Sequence, residues 1–96
     1  MKYILITTIH SSLSEQDVLK IAEKRKNHFK IVSGLIRKFW VKDEQTGIYY
    51  GIFEFESKSQ LENYLNTDFA KSVSIAYKTI APIKMQILKV QKEQNS

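Results

Sequence analysis

The sequence contains no cysteine, only one proline and only three glycines in 96 residues. Without cysteine the chain has no disulfide, no thiolate nucleophile and no zinc site built on sulfur. Its two histidines, His10 and His28, are well separated in the sequence, so we expect no metal site. The glycines Gly34, Gly47 and Gly51 stand singly, and single glycines do not make the loop that cradles a phosphate.

Long apolar runs are also missing. The longest stretches, such as residues 3–6, are far shorter than the ~20 residues that a membrane helix requires. The first residues lack the basic-then-apolar layout of a signal peptide. We therefore expect a cytoplasmic protein with no membrane contact. A chain of this length, 43% hydrophobic, fits one core, so we expect a single domain over residues 1–96 with a frayed polar tail, residues 91–96.

The formal net charge of +5 raises the question of a nucleic-acid partner, because clustered cations attract phosphates. The cations are spread along the chain, and such runs usually form solvated faces. Laid on residues 48–55, the third-strand signature of RNA-recognition domains matches Tyr50, Gly51 and Phe55. It misses the opening basic residue, the first glycine and the central aromatic. Single-stranded RNA binding is therefore a minor alternative, and we do not expect a nucleic-acid partner.

Capping residues and apolar periodicity divide the chain into helices and strands. Ser14 followed by Asp17, and Ser57 followed by Gln60, are capping-box patterns that begin helices. Pro82 favours an extended conformation before the last strand. The predicted elements are a strand over 1–10, a helix from about 15 to 28, two strands around a turn at 43–47, a helix after 57, a helical piece over 69–78 and a strand over 83–90.

This β-α-β-β-α-β order predicts an α+β, ferredoxin-like fold. In that fold a four-stranded antiparallel sheet carries both helices on the same face. The opposite face of the sheet is then left without a cover, which directs attention to the side chains of the central hairpin.

The two strands of the hairpin are apolar on both faces. If Lys42 lies opposite Ile48, a turn of five residues closes the hairpin. One face, which we predict to pack against the helices, then carries Leu35, Arg37, Phe39, Val41, Tyr49, Gly51, Phe53 and Phe55. The other carries Ile36, Lys38, Trp40, Ile48, Tyr50, Ile52 and Glu54. A cross-strand pair of Trp40 and Tyr50 on this second face predicts an apolar patch that another protomer, a ligand or a nucleic acid covers.

The same hairpin and the helix after it resemble the YdhR-like monooxygenase family. Members of that family have a Gly-Leu-x-x-Lys-x-Trp strand, a glycine-containing strand with aliphatic and aromatic residues, and a helix of the ALEAYL kind. The matching residues are Gly34, Leu35, Lys38, Trp40, Gly51, Ile52, Phe53, Phe55, Leu61, Tyr64 and Leu65. The sequence departs from the pattern at Ser33, where relatives often have proline, and at Tyr50, where many have a second glycine.

The resemblance implies a dimeric α+β barrel, in which two protomers pack sheet to sheet. We therefore predict a homodimer through the face carrying Trp40 and Tyr50. Haem-degrading members of this superfamily have a tryptophan, a histidine and an asparagine at places that here hold Phe55, Ser74 and Thr7 or Thr8. Haem breakdown by that mechanism is disfavoured, and we expect no cofactor.

The resemblance also implies the activity: a cofactor-independent monooxygenase acting on a small aromatic or other electron-rich compound. His10 is the candidate base, and Arg37 or Lys38 the candidate partner of an oxyanion. The predicted pocket residues are Trp40, Phe55, Tyr64 and Tyr77. In the assumed register Lys38 and Trp40 lie away from the helices, so they line this pocket only if the strand pairing shifts by one residue.

Each of these residues also has a structural interpretation. A strand tryptophan commonly packs in an interface, a lysine on a strand commonly pairs with a carboxylate such as that of Glu54, and a strand-end histidine commonly faces solvent. The second functional hypothesis is therefore a non-catalytic dimer of the same fold that binds a small ligand.

Overall fold

A computed structural model describes residues 1–94 of the chain. The order of strands and helical regions is the predicted one, but the predicted helical piece over 69–78 is divided into two short helices. The elements are β1 (Tyr3–Ile9), α1 (Glu15–Phe29), β2 (Leu35–Lys42), β3 (Tyr49–Phe55), α2 (Lys58–Leu65), α3 (Asp68–Lys71), α4 (Val73–Ala76) and β4 (Lys84–Lys89). None of the helices within residues 1–94 has the length and apolar character of a membrane span.

The strands form one antiparallel sheet in the order β2-β3-β1-β4. This is the strand order of the ferredoxin-like fold, and the predicted fold class is confirmed. Residues 91–94 have no regular structure, although Glu93 pairs with Lys2 at 2.8 Å. The remainder of the predicted frayed tail, residues 95–96, lies outside the described residues.

The helices begin where polar caps satisfy free backbone N–H groups. The side chains of Ser14, Ser57 and Thr67 accept hydrogen bonds from the backbone N–H of Asp17, Gln60 and Ala70 respectively. A cap of this kind stabilises a helix by ~1 kcal/mol. The caps at Ser14 and Ser57 are those that the sequence predicts, and both helices begin at the following residue.

The register of the hairpin differs from the predicted one by a single residue. Lys42 pairs with Tyr49 rather than Ile48, and Trp40 pairs with Gly51. A bulge between Leu35 and Arg37 shifts the alternation, so Leu35 packs towards the helices while Arg37 points away from them. Every later side chain of β2 therefore lies on the face opposite to its predicted one.

The predicted faces of Lys38 and Trp40 are accordingly wrong. The inner face of the sheet, which we define as the face covered by helices, carries Lys38, Trp40, Lys42, Tyr49, Gly51, Phe53 and Phe55 together with Leu5, Thr7 and Ile9. Two buried clusters form the core on this face. One is centred on Leu5, Phe55 and Leu61, and the other on Ile9 and Val18.

The outer face of the sheet has no cover within residues 1–94. It carries Ile4, Ile6, Arg37, Phe39, Val41, Tyr50, Ile52, Glu54 and Leu88. Phe39 is 49% exposed, Val41 38% and Leu88 45%. Tyr50 belongs to this apolar face as predicted, but Trp40 does not, so a second protomer packed on the sheet would not contact the tryptophan ring directly.

Candidate functional site

A cavity lies between the two core clusters, on the inner face of the sheet. Its walls come from all strands and from α1, α2 and the α3–α4 region, and Met85 of β4 is half-exposed. The space between the lining atoms is about 440 Å³, counting the part open to solvent, of which about 30 Å³ is accessible to the centre of a water molecule. As it stands the cavity is narrow, so a ligand with one aromatic ring requires the lining side chains to move.

Trp40 forms one wall of the cavity through a stack of aromatic rings. Its ring stacks on Tyr49 with 5.6 Å between centroids and on Tyr77 with 4.8 Å, at interplanar angles of 15° and 20°. Its indole nitrogen Nε1 is buried and has no hydrogen-bond partner within residues 1–94. A buried N–H without an acceptor costs ~1–3 kcal/mol, which a bound molecule with an oxygen at this position would recover.

Gly51 provides space opposite Trp40. A Cβ atom at this position would lie 2.7 Å from the hydroxyl oxygen of Thr7 and 3.0 Å from the ring of Phe53. Since both distances are shorter than ordinary contacts, a side chain at residue 51 would force Thr7 or Phe53 to shift. The glycine at residue 51 therefore has a steric reason in the close approach of Thr7 and Phe53.

Lys38 places its ammonium group among aromatic rings. The Nζ atom lies 4.6 Å from the ring centroid of Phe29, 5.0 Å from that of Trp40 and 5.3 Å from that of Phe53. Among residues 1–94 no carboxylate approaches it within 4.0 Å. Burial, with a smaller contribution from the charge of Arg25, lowers the pKa of Lys38 from 10.5 to about 8. The rings offset part of the desolvation cost through cation–π attraction, but they supply no counter-charge.

Arg25 brings a second cation to the cavity, and it is held in place by its own contacts. Its guanidinium donates to the hydroxyl of Ser72 at 3.2 Å and to the carbonyl oxygen of Phe69 at 3.0 Å. It also lies 4.1 Å from the ring centroid of Phe69. These contacts fix the guanidinium between α1 and the α3–α4 region, where its charge acts on Lys38 and on the tyrosines of the cavity.

Two tyrosines complete the polar lining of the cavity. Burial raises the pKa of Tyr64 to about 12, and burial also raises the pKa of Tyr77. Both hydroxyl groups are therefore protonated at neutral pH and available as hydrogen-bond donors. Of the groups in the cavity, Lys38 has the pKa closest to neutrality, so it is the candidate for proton transfer.

The structure separates the predicted site residues into two sets. Lys38, Trp40, Tyr64 and Tyr77 line one cavity. The remaining three do not line it. Phe55 is fully buried in the core, Arg37 pairs with Glu54 at 2.7 Å on the outer face, and His10, whose carbonyl oxygen accepts from the backbone N–H of Ile80, lies past the end of β1. The proposed oxyanion role of Arg37 and base role of His10 have no geometric support.

Arg25 is the charged residue of the cavity that the sequence analysis does not single out, and Thr7 and Phe29 of the lining are not among the predicted site residues either. It lies four residues after Ile21 and four before Phe29, which places it on the apolar stripe of α1. A charged residue on the buried stripe of an amphipathic helix is a signal of a polar function in the interior. The neighbouring lysines of α1 lie at exposed positions. A count of cations along the helix does not distinguish Arg25 from them.

The geometry is consistent with the family and structure comparisons. A family model described as "Putative mono-oxygenase ydhR" matches residues 7–96. No curated protein sequence matches the chain significantly.

Solved structures share the fold over nearly the whole chain. Rv0793 from Mycobacterium tuberculosis superposes with a TM-score of 0.78 at 8% identity, covering 99% of this chain and 100% of that one. SnoaB from Streptomyces nogalater, described as a cofactor-independent oxygenase, gives 0.78 at 7% identity and covers 99% and 98%. A protein from Caulobacter crescentus, described as a putative antibiotic biosynthesis monooxygenase, gives 0.69 at 16% identity and covers 95% and 91%. At these identities the likeness shows the fold.

Proposed function

Because the chain belongs to the ydhR family of mono-oxygenases, we propose that it is a cofactor-independent monooxygenase that oxidises a small phenolic compound in the cavity on the inner face. One observation carries the proposal. The ammonium group of Lys38 lies in an aromatic cavity without a carboxylate, where it suits a substrate oxygen that becomes negatively charged.

The proposed reaction begins with the phenolic proton. The neutral amine of Lys38 accepts this proton, and the resulting ammonium pairs with the phenolate. Because the pKa of Lys38 is about 8, a fraction of the side chain is neutral at pH 7 without a further base. Ionisation raises the electron density of the ring, mainly at the carbon para to the oxygen.

Dioxygen then reacts with the ionised ring. The phenolate transfers an electron to O₂, and the two radicals combine to form a carbon–oxygen bond at the para carbon. The peroxide anion takes back the proton held by Lys38, and the hydroperoxide then loses the para proton and hydroxide as water, which leaves a quinone and the neutral amine of Lys38. The balance is phenol plus O₂ giving quinone plus water, so the substrate supplies all the electrons and the reaction requires no external reductant.

The other cavity residues would hold the substrate for these steps. Trp40 and Phe29 provide flat walls for the ring, and the free N–H of Trp40 suits an oxygen of the substrate or of the bound peroxide. The positive charge of Arg25 favours the anionic state at longer range. A lining that is mainly apolar excludes water and thereby strengthens the interaction between Lys38 and the phenolate.

A second candidate is a non-catalytic protein that binds a small aromatic ligand. It is favoured by the absence of any histidine or carboxylate among the residues 1–94 that line the cavity, since Lys38 is then without a second acid–base group. The same residues would bind the ligand, and no oxygen would be consumed.

Oxygen uptake separates these two candidates. The purified protein is incubated with a panel of polyphenols and quinols, and oxygen consumption is compared with that of two variants. We expect Lys38→Met to reduce the rate by about 10²–10⁴-fold, the range typical of losing a general base. Lys42→Met is the matched control, because Lys42 lies on the same strand and face but outside the cavity. If compounds bind and none causes oxygen uptake, the monooxygenase proposal is wrong.

We further propose that the protein is a homodimer through the outer face. Exposed Phe39 and Val41 pair with Ile52 and Tyr50 on this face, and exposed Leu88 lies on it in β4. Covering several hundred Å² of apolar surface is worth on the order of 10 kcal/mol before association costs. Sheet-to-sheet packing of two copies would supply that cover. Trp40 is excluded from this interface by its position on the inner face.

A further inference from the structure

The polar groups that face the cavity have one property in common. All of the charged or strongly polar side chains in its lining are hydrogen-bond donors, and within residues 1–94 no aspartate, glutamate or histidine lies among them. These donors are Thr7, Arg25, Lys38, Trp40, Tyr64 and Tyr77. Hydroxyl groups also accept hydrogen bonds, but lysine, arginine and tryptophan only donate. The lining therefore complements a ligand that presents acceptors and negative charge.

Two of these donors are without a partner in the structure. The Nε1 atom of Trp40 is buried and unpartnered, and the Nζ atom of Lys38 has no carboxylate within 4.0 Å among the described residues. Both side chains line the same cavity, and Nζ lies 5.0 Å from the ring centroid of Trp40. An anionic oxygen of a planar ligand would bring Lys38 the negative charge it lacks, and an oxygen of the same ligand would give Nε1 an acceptor.

The approach to Lys38 from solvent is also basic. An open groove between α1 and β2 has about 420 Å³ of space for water, and Lys38, Phe29 and Trp40 line both this groove and the cavity. The groove also carries Lys26, Lys30 and Arg37. Glu23 pairs with Lys26, and Glu54 pairs with Arg37, which leaves Lys30 and Lys38 without ion-pair partners among residues 1–94. Cations along an approach raise the rate at which anions arrive.

We propose that the cavity binds its ligand as an aromatic anion, with an ionised ring oxygen between Lys38 and Nε1 of Trp40, and that the ligand enters from the groove between α1 and β2. The identification of the cavity as the substrate site rests on the proposed function. The substrate class narrows accordingly to acidic phenols, whose hydroxyl group ionises near neutral pH. Ethers, alcohols and aromatic amines of the same shape are excluded because they bring no charge to Lys38.

A cavity that binds its ligand through apolar contacts alone, and does not favour an anion, would behave differently from the proposed site. Its affinity would follow the area of the ring that is buried, and a phenol and its methyl ether would bind alike. The proposed preference for the anion, which we call charge selection, predicts that the protein binds the phenolate more tightly than the neutral phenol. The pKa of the bound phenol is then lower than that of the free phenol. This lowering of the pKa can be measured by absorbance for a phenol whose anion is coloured.

The test uses 4-nitrophenol, whose phenolate absorbs visible light, at a pH just below its own pKa. Adding the protein should increase the phenolate absorption, and the fluorescence of Trp40, which is the one tryptophan in the chain, should be quenched. 4-Nitroanisole, the methyl ether, should bind at least about tenfold more weakly, a difference of 1.4 kcal/mol. Lys38→Met should abolish the rise in phenolate absorption, and Lys38→Gln provides a second variant of similar size. Lys42→Met should leave it unchanged.

Charge selection is contradicted if 4-nitroanisole binds as tightly as 4-nitrophenol, if neither compound binds, or if the phenolate absorption does not rise on binding.

Lys30→Glu tests the approach through the groove. It should slow the association of 4-nitrophenol in stopped-flow fluorescence several-fold at low salt, and an unchanged rate would exclude the groove as the route. None of these readings requires oxygen or turnover. A protein that binds the phenolate and consumes no oxygen with any phenol therefore retains the anion site and refutes the monooxygenase proposal alone.

Discussion

Two neighbouring cations of β2 lie on opposite faces of the sheet, and only one of them has a carboxylate partner among residues 1–94. Arg37 on the outer face pairs with the carboxylate of Glu54 at 2.7 Å, and Glu54 is only 8% exposed. Lys38, the next residue, lies on the inner face among aromatic rings, with no carboxylate within 4.0 Å in residues 1–94. Removing one partner of the pair would leave the buried carboxylate uncompensated, whereas the unpaired buried charge of Lys38 already costs stability, a cost that functional sites commonly carry.

The largest expected difference between the faces is in packing. Phe55 is fully buried on the inner face, whereas Phe39 is 49% exposed on the outer face. Phe55→Ala should lower the free energy of unfolding by about 3–5 kcal/mol, because it leaves a cavity in the core. Phe39→Ala should cost far less under conditions where the protein is monomeric. Urea denaturation at low protein concentration measures both, and equal losses would show that the faces are equally buried.

The outer face should be covered by a second copy of the chain, and a charge placed on it should weaken the dimer. Ile52→Lys places a charge in the centre of the proposed dimer interface, and we expect the dimer to dissociate at least about 100-fold more readily, equivalent to 2.8 kcal/mol. Ile75→Lys is the control, because Ile75 is 80% exposed on α4, away from the sheet. Sedimentation velocity distinguishes the species. A wild-type protein that remains monomeric at micromolar concentration would contradict the dimer.

Substitution of the two neighbouring cations should change stability in opposite directions. Arg37→Met leaves the buried carboxylate of Glu54 with Lys2, at 3.8 Å, as its one ion-pair partner among residues 1–94, so we expect a loss of about 1–3 kcal/mol. Lys38→Met removes an unpaired charge and keeps the length of the side chain. A gain of roughly 1–2 kcal/mol should follow, less than the full pKa shift implies, because part of the side chain meets solvent. Denaturation at pH 7 compares the variants, and a destabilised Lys38→Met protein would show that the ammonium contributes to the fold.

The smallest expected effect is the dependence of stability on pH. Burial lowers the pKa of Lys38 from 10.5 to about 8, so between these values the unfolded chain binds the proton that the folded protein has released. Stability should therefore rise with pH from about 8 to 10.5 in the wild type relative to Lys38→Met. The comparison with the variant is necessary because Tyr64 and Tyr77, whose pKa values are raised, act in the opposite direction at higher pH. Parallel pH profiles for the two proteins would contradict the shift.

The order of elements and the helix caps were predictable from the sequence because each depends on local patterns. Ser14 and Ser57 are recognisable from the residues that follow them, and both cap as predicted. The family resemblance was predicted from the hairpin and the helix after it, and the family match confirms it. The resemblance, rather than the periodicity, led to Lys38 and Trp40.

The faces of β2 were not predictable in the same way. Both faces of the hairpin are apolar, so hydrophobic alternation does not choose between registers that differ by one residue. The bulge between Leu35 and Arg37 then reverses the alternation after a correctly placed Leu35. No glycine or proline marks this bulge, since Ile36 occupies it. As a result the sequence predicts Arg37 on the inner face and Lys38 on the outer face, the reverse of their positions in the structure.

The central claim is that the ammonium of Lys38 is buried in the cavity without a counter-charge. An NMR titration of the lysine side chains tests it most directly, with the Lys38 signal identified by its loss in Lys38→Met. We predict that this signal titrates with a pKa of about 8 in the free protein, well apart from ordinary lysines, and moves to higher pH when an aromatic anion binds. A Lys38 signal that titrates with the ordinary lysine pKa of 10.5 would show that the ammonium is not buried without a counter-charge.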